Sequence, residues 1–322
     1  MKYRISIVFL GVAMIISSCK TTFQMTGKGE NFNALTRITE PGIVYAGPRG
    51  GDNGANLVFG GLQNNVWNIY SKEKVLSASF TQKTNGVSGC YSPDYCAETN
   101  NIAFAYLSDG NMDICSINGK NGKAITKLIS STDQEFNPSW SPDGKFLTYE
   151  TGVPLCAYTG LVFGGKVVSL DRIMSNQIWV KDLNSNEVKM IGIGNFPKFS
   201  PDGKQIAFIK TQNVKGGYGG SICVMTPDGE NLKQLTDVSV GYPSSPSWSS
   251  NGKNIVFSLS KLKDKSKYIN IYSVDVTGEN LKQYTQYAHN LTPCLSNDNY
   301  LYFTSDRGSK EFKYSIWRFK ID

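Results

Sequence analysis

Apolar and polar residues alternate along most of the chain in runs of a few residues, broken by clusters of Gly, Pro, Asn, Asp and Ser. That is the pattern of β-strands joined by tight turns rather than of helices. Three units align without gaps: Pro138 to Tyr149 (PSWSPDGKFLTY), Pro197 to Phe208 (PKFSPDGKQIAF) and Pro246 to Phe257 (PSWSSNGKNIVF). Two more are altered copies, Gly89 to Phe104 around CYSPDYC and Pro293 to Phe303 (PCLSNDNYLYF). A sixth runs from Ile43-Val44-Tyr45 through Asp52-Asn53-Gly54 to Leu57-Val58-Phe59. The closing aromatics Phe59, Phe104, Tyr149, Phe208, Phe257 and Phe303 stand 45, 45, 59, 49 and 46 residues apart. After each comes an Ile with Tyr, Trp or Cys beside it: Ile69-Tyr70, Ile114-Cys115, Ile178-Trp179, Ile222-Cys223, Ile271-Tyr272 and Ile316-Trp317. Two independent markers recurring in one order define a sixfold repeat.

Each unit reads as four strands. The strand around Trp140 ends in Ser141-Pro142-Asp143-Gly144, a turn in which Pro fixes φ, Asp bonds the backbone ahead and Gly takes a positive φ. Phe146 to Tyr149 returns beside it, the Ile-aromatic strand follows, and a fourth strand ends in Leu-Thr or its like, as in GENLKQLT (Gly229 to Thr236) and GENLKQYT (Gly278 to Thr285). Four strands every ~45 residues is a propeller blade, which cannot bury its faces alone. The expected fold is therefore an all-β, six-bladed propeller over residues 34–322. Its last unit stops at Asp322 after a third strand, and Ala34-Leu35-Thr36-Arg37-Ile38-Thr39 resembles the missing fourth. This predicts that residues 34–39 complete the sixth blade and close the ring by pairing the two chain ends.

The SPDGK turn after Pro-x-aromatic, the Ile-Tyr strand and the LKQLT strand resemble TolB-type six-bladed propellers, and Phe303-Thr304-Ser305-Asp306-Arg307-Gly308 matches that family's link between second and third strands. The resemblance covers roughly residues 34–322. It implies the fold and a general role in binding proteins at the bacterial envelope, without naming a partner. TolB proper carries a separate N-terminal domain, whereas only a short polar stretch precedes the repeats here, so the resemblance does not extend to TolB's own translocation role.

The first residues carry a different signal. Lys2 and Arg4 precede an almost wholly apolar run from Ile5 to Ile16, too short for a membrane span of ~20 residues but fitting a signal-peptide core. It ends in Ile16-Ser17-Ser18-Cys19, which resembles a bacterial lipoprotein box with Ile and Ser in place of the usual Leu and Gly or Ala. The expectation is a signal peptide over 1–18, lipidation of Cys19 and a flexible tether over 19–33; the alternative is ordinary secretory cleavage nearby, with Cys19 incidental. Lys20-Thr21-Thr22 brings no Asp next to Cys19, and by resemblance to known sorting signals this favours an outer-membrane anchor facing the periplasm.

Composition narrows the chemistry. The chain has 322 residues, with 32 Gly, 12 Pro and 27 Asn against 12 Ala, which excludes a helical bundle. Its one histidine, His289, removes most zinc sites and most Ser-His-Asp triads. The formal charge is +7, but only six residues are Arg and no block of five basic residues occurs, so no nucleic-acid partner is expected. No Gly-x-Ser-x-Gly marks a hydrolase, and the SPDGK turn departs from the Ser-x-Asp-x-Gly-x-x-Trp box of sialidase propellers. Asp109-Gly110-Asn111-Met112-Asp113 starts like a calcium loop but lacks Gly at the sixth position and has Lys120 where Glu belongs. Neither a metal nor a cofactor is predicted. The reading is a non-catalytic, protein-binding scaffold; the alternative is an envelope glycan-binding or glycoside-cleaving propeller.

Two details remain. Cys115 and Cys223 share one slot in blades two and four, and Cys90 and Cys294 another in blades two and six, so neither pair can approach for a disulfide and all four read as small buried apolar residues. Cys90 and Cys96 flank CYSPDYC, read as a turn, and are the candidate disulfide. The link from Tyr149 to Ile178 spans 29 residues against 10 to 14 in the other blades. Its excess, Gly152 to Arg172, is apolar, and Leu155, Tyr158, Leu161, Val162 and Phe163 are candidate partner-binding residues beside the funnel mouth, with His289 nearby. The alternative is a hairpin packed on its own blade.

Overall fold

The repeats fold as the periodicity requires: alternating residues put one face of every strand against the neighbouring blade, and Gly-rich turns reverse the chain between strands. The computed structural model describes residues 35–40, 44–85, 89–120, 122, 124–152, 162–163, 166–167, 176–214, 217–262, 268–309 and 313–321. Blade three shows the plan, with antiparallel strands Glu135–Trp140, Phe146–Thr151, Gln177–Asp182 and Val188–Ile193 in order. Blades one, two, four and five repeat it, starting at Val44–Gly50, Cys90–Cys96, Asn195–Phe199 and Gly241–Trp248.

Blade six is assembled from both ends of the chain. Asn290–Leu295, Tyr300–Ser305 and Ser315–Lys320 supply three strands, and Thr36–Arg37 pairs antiparallel with the third, Thr36 opposite Arg318 and Arg37 opposite Trp317. The expected closure is thus present. Thr39, two residues beyond this strand, accepts the Ile316 N–H at 3.0 Å, as Thr236 accepts Ile222 N–H and Thr285 accepts Ile271 N–H, both at 2.9 Å.

The core is divided by blade junctions. Six clusters of buried apolar side chains occur, one between each blade and the next. In all six blades the closing aromatic is directly opposite the residue after the marker Ile: Phe59 faces Tyr70, Phe104 Cys115, Tyr149 Trp179, Phe208 Cys223, Phe257 Tyr272 and Phe303 Trp317. The two markers are one cross-strand pair. Cys115 and Cys223 fill that slot as buried thiols, and burial pushes both up to about 11.

The turns also match their chemistry. In Ser141–Gly144 the Gly144 N–H reaches Ser141 O at 3.0 Å with Gly144 at φ 69°, while Asp143 Oδ1 accepts from Ser141 Oγ and Lys145 N–H. Blade two corrects the expectation. Its CYSPDYC is not a turn but the first strand, and the reversal comes after it at residues 97–100. Pro93 corresponds to Pro138 in the strand, not to Pro142 in the turn. Cys90 and Cys96 consequently stand at opposite ends of a seven-residue strand, about 20 Å apart at ~3.3 Å per residue. Both thiols are free and buried, and the candidate disulfide is not made.

Candidate functional site

Counting back from the closing aromatic brings out a second repeat that the turn motifs obscure. Every first strand contains a register shift, and in each the two bulged residues end in Pro: Gly47-Pro48, Ser92-Pro93, Asn137-Pro138, Phe196-Pro197, Ser245-Pro246 and Thr292-Pro293. The residue before each Pro is left-handed, with φ between 49° and 60°. Such a bulge bends the strand and re-aims the next side chain. Those next residues are Arg49, Asp94, Ser139, Lys198, Ser247 and Cys294.

This ring meets on the axis. Lys198 Nζ of blade four donates to Asp94 Oδ1 of blade two at 3.0 Å and to Pro138 O at 2.9 Å. Arg49 Nε of blade one lies 3.7 Å from the same Asp94 oxygen. Contacts that skip a blade require first strands to be innermost and these side chains to face one another. Asp94 Oδ2 also accepts the Trp140 N–H at 2.9 Å, and Ser139 Oγ the Phe199 N–H at 3.3 Å, so the ring ties blade to blade. Burial pulls Lys198 below its ordinary value while Asp94 acts in the other direction. Asp94, Ser139, Lys198, Ser247 and Cys294 are all buried. Two cations thus stand around one carboxylate at the centre of the ring.

A second buried carboxylate serves the bulges. Glu150 accepts from the Asn137 amide at 3.0 Å and from the Phe196 N–H, joining the bulged residues of blades three and four. Burial raises it from the ordinary 4.5 to about 8, with both hydrogen bonds and Lys198 pulling the other way.

His289 lies at the opposite end of the first strands from the SPDG turns, in the crossing from blade five to blade six. Asp306 holds it twice, accepting its backbone N–H at 2.8 Å and standing 2.9 Å from ring Nδ1. A carboxylate only accepts, so Nδ1 carries the proton and Nε2 is turned away. Tyr268 sits edge-on to the imidazole at 5.8 Å, and Tyr287 is 39% exposed. The orienting Asp306 belongs to the Thr-Ser-Asp-Arg-Gly link, where the sequence gives no sign of this role. Asp109-Gly110 is a hairpin turn with φ 52° and 84°, and Asp113 is paired with Lys127 at 2.6 Å. Among the described residues no group of three His, Cys, Asp or Glu is placed to hold a metal ion.

Cys19, Leu155, Tyr158 and Leu161 lie outside the described residues; Val162–Phe163 pairs antiparallel with Lys166–Val167 as a short hairpin. No helix among the described residues is long and apolar enough to cross a membrane.

No protein-family model matches the chain, and no curated protein matches it in sequence. Solved structures do. A protein from Agrobacterium tumefaciens assigned to TolB superimposes with a TM-score of 0.61 at 17% identity, over 89% of this chain and 97% of that one. TolB from Acinetobacter baumannii gives 0.57 at 17% identity, over 86% of this chain and 63% of its own. An oligogalacturonate lyase in complex with manganese gives 0.58 at 14% identity, over 89% and 93%. Proteins titled TolB and an oligogalacturonate lyase share this scaffold, and at such identities what they share with this chain is the fold, a six-bladed propeller.

Proposed function

We propose that this chain is a non-catalytic propeller that holds a protein partner at the bacterial envelope, anchored in the outer membrane through a lipid on Cys19 and facing the periplasm. The observation that carries the reading is the axial charge cluster, whose groups satisfy one another. With Asp94 paired to Lys198 and Arg49 on the axis, recognition falls to the faces of the ring. At the mouth an oriented imidazole, the edge of Tyr268 and the exposed ring of Tyr287 form the aromatic and polar mixture that suits a protein surface. The second strand of blade three ends at Thr151 and its third begins at Gln177 on that same face, and we take the apolar residues of the Gly152–Arg172 insertion between them as part of the contact. The TolB neighbours are consistent with this role.

A photocrosslinking residue at Tyr287 or Tyr158, activated in intact cells and followed by mass spectrometry, should yield an adduct with an envelope protein. No protein adduct, together with saturable binding of an oligosaccharide, would establish the glycan reading instead. Cys19→Ser should release the folded propeller from membranes; retention in the pellet through a carbonate wash would overturn the anchor.

A further inference from the structure

The face opposite His289 carries a feature that neither the fold nor the mouth explains. The turns of blades three and four, Ser141–Gly144 and Ser200–Gly203 from the inner strand pairs and residues 182–187 and 226–230 from the outer pairs, enclose a groove of about 500 Å³. Its apolar floor includes Phe146, which is 38% exposed, together with Val180 and Phe199. Its rim is acidic: Asp143, Asp182, Glu187, Asp202 and Asp228 face a single lining cation, Lys189. That is five negative charges against one positive, in a chain whose formal charge is +7.

Four of these carboxylates are held in place by one oxygen only. Oδ1 accepts from Ser141 and Lys145 at Asp143, from Asn184 and Ser185 at Asp182, from Ser200 and Lys204 at Asp202, and from Thr226 and Glu230 at Asp228. Oδ2 takes no hydrogen bond at Asp182, Asp202 or Asp228 among the described residues, and at Asp143 it has the exposed Lys145 ammonium at 3.6 Å. Hydrogen bonds from their own turns hold all four below the usual carboxylate range. Rigid, ionised acceptors around an apolar floor complement a cationic chain with apolar side chains. They do not complement a metal ion, because the acids come from four separate turns and do not converge. The repeat does not require this arrangement, since the equivalent turn of blade five has Asn251 with the same bonds, from Ser249 Oγ at 2.8 Å and Lys253 N–H at 3.0 Å.

We propose that the groove between the turns of blades three and four docks an extended, arginine- or lysine-bearing segment of a partner protein, its apolar side chains on Phe146, Val180 and Phe199 and its cations on the free carboxylate oxygens. This surface is independent of the mouth and of Cys19, so each reading can fail alone.

The blade-five turn supplies the test, because Asp143→Asn and Asp202→Asn keep the Oδ1 acceptor and should fold. The probe is a fluorescein-labelled peptide of Arg, Leu and Ser, titrated with the full chain and read by fluorescence anisotropy beside the same peptide with Glu for Arg. The Arg peptide should bind, the Glu peptide should not, and affinity should fall about tenfold or more between about 50 and 300 mM salt. The double variant should lose about fivefold or more at low salt with an unchanged melting temperature. Asp298→Asn, the same change in blade six, should lose nothing. Absence of binding, equal binding of both peptides, or equal loss in the double variant and Asp298→Asn would overturn the proposal.

Discussion

The junctions between blades three and four and between blades six and one meet one backbone requirement by different chemistry. In both, a left-handed bulge residue, Phe196 or Gly47, points its N–H at the preceding blade. At the three–four junction Glu150 receives it and is bonded by Asn137. At the six–one junction Thr292 Oγ1 receives the Gly47 N–H at 3.3 Å and is bonded to Thr304 Oγ1 at 2.7 Å. Thr304 and Glu150 each follow the closing aromatic, so the positions are equivalent. One junction uses two neutral hydroxyls and the other a buried carboxylate. The requirement fixes an acceptor at that point, not its charge, and the choice makes one junction sensitive to pH and leaves the other indifferent.

The six–one junction is also the seam, and breaking it should give the largest effect. Deleting residues 34–39 removes Ile38, buried at 6% exposure, its N–H bond to Ile316 O at 2.8 Å and the Thr39 acceptor. It also leaves Lys72 Nζ without Ile38 O, which lies 2.8 Å away. Burying one such side chain is worth about 1.5–3 kcal/mol and each hydrogen bond about 1, and the third strand of blade six becomes an open edge. We expect a loss of roughly 5–8 kcal/mol, a fall of about 10 °C or more in melting temperature, and self-association on gel filtration. A normal thermal transition in the deletion would show that the ring closes without this strand.

At the three–four junction Glu150→Ala strands the Phe196 N–H and the Asn137 amide in a dry interior, at about 1–3 kcal/mol for each orphaned group. At the seam Thr304→Val removes one neutral bond and leaves Gly47 bonded to Thr292, at about 1 kcal/mol. Urea titrations should rank the two in that order. Equal costs would mean that the carboxylate is no more committed to its junction than the hydroxyl pair.

The legible part of the fold was local. Turn residues such as Ser141-Pro142-Asp143-Gly144 act within four positions, and the marker pair Phe208 and Cys223 joins strands neighbouring in sequence, so their periods survive in the chain. Closure was legible because Leu35-x-x-Ile38-Thr39 repeats the LKQLT pattern. Blade two was misplaced because its Ser92-Pro93-Asp94 copies the turn motif where the strand has its bulge, and the spacing of Pro93 to Phe104, eleven residues as from Pro138 to Tyr149, was the signal that decides. The axial ring was illegible for a different reason. Arg49, Asp94 and Lys198 differ in chemistry at one repeat position, and only the ring geometry brings residues 104 apart within 3.0 Å. His289 is legible as a loop residue between blades five and six, but its partner Asp306 is not.

The smallest effect sharpens the comparison most. Glu150 titrates at about 8 in the folded chain against an ordinary 4.5, chiefly because burial disfavours its charge. The folded state therefore holds this proton more tightly than the unfolded one, so the stabilisation is complete below about pH 4.5 and is lost as pH rises toward 8. The slope from one such group is at most about 1.4 kcal/mol per pH unit. Protonated Glu150 can donate to Asn137 once that amide turns over, and Glu150→Gln reproduces the arrangement at every pH. Chemical denaturation of the wild-type chain should show stability declining by about 1–2 kcal/mol between about pH 6.5 and 8. Glu135, whose burial also raises it, contributes in the same direction. Glu150→Gln should remove most of the slope, whereas Thr304→Val should lower the whole curve and leave its slope unchanged. A slope that survives Glu150→Gln intact would place the proton elsewhere and make the two junctions alike.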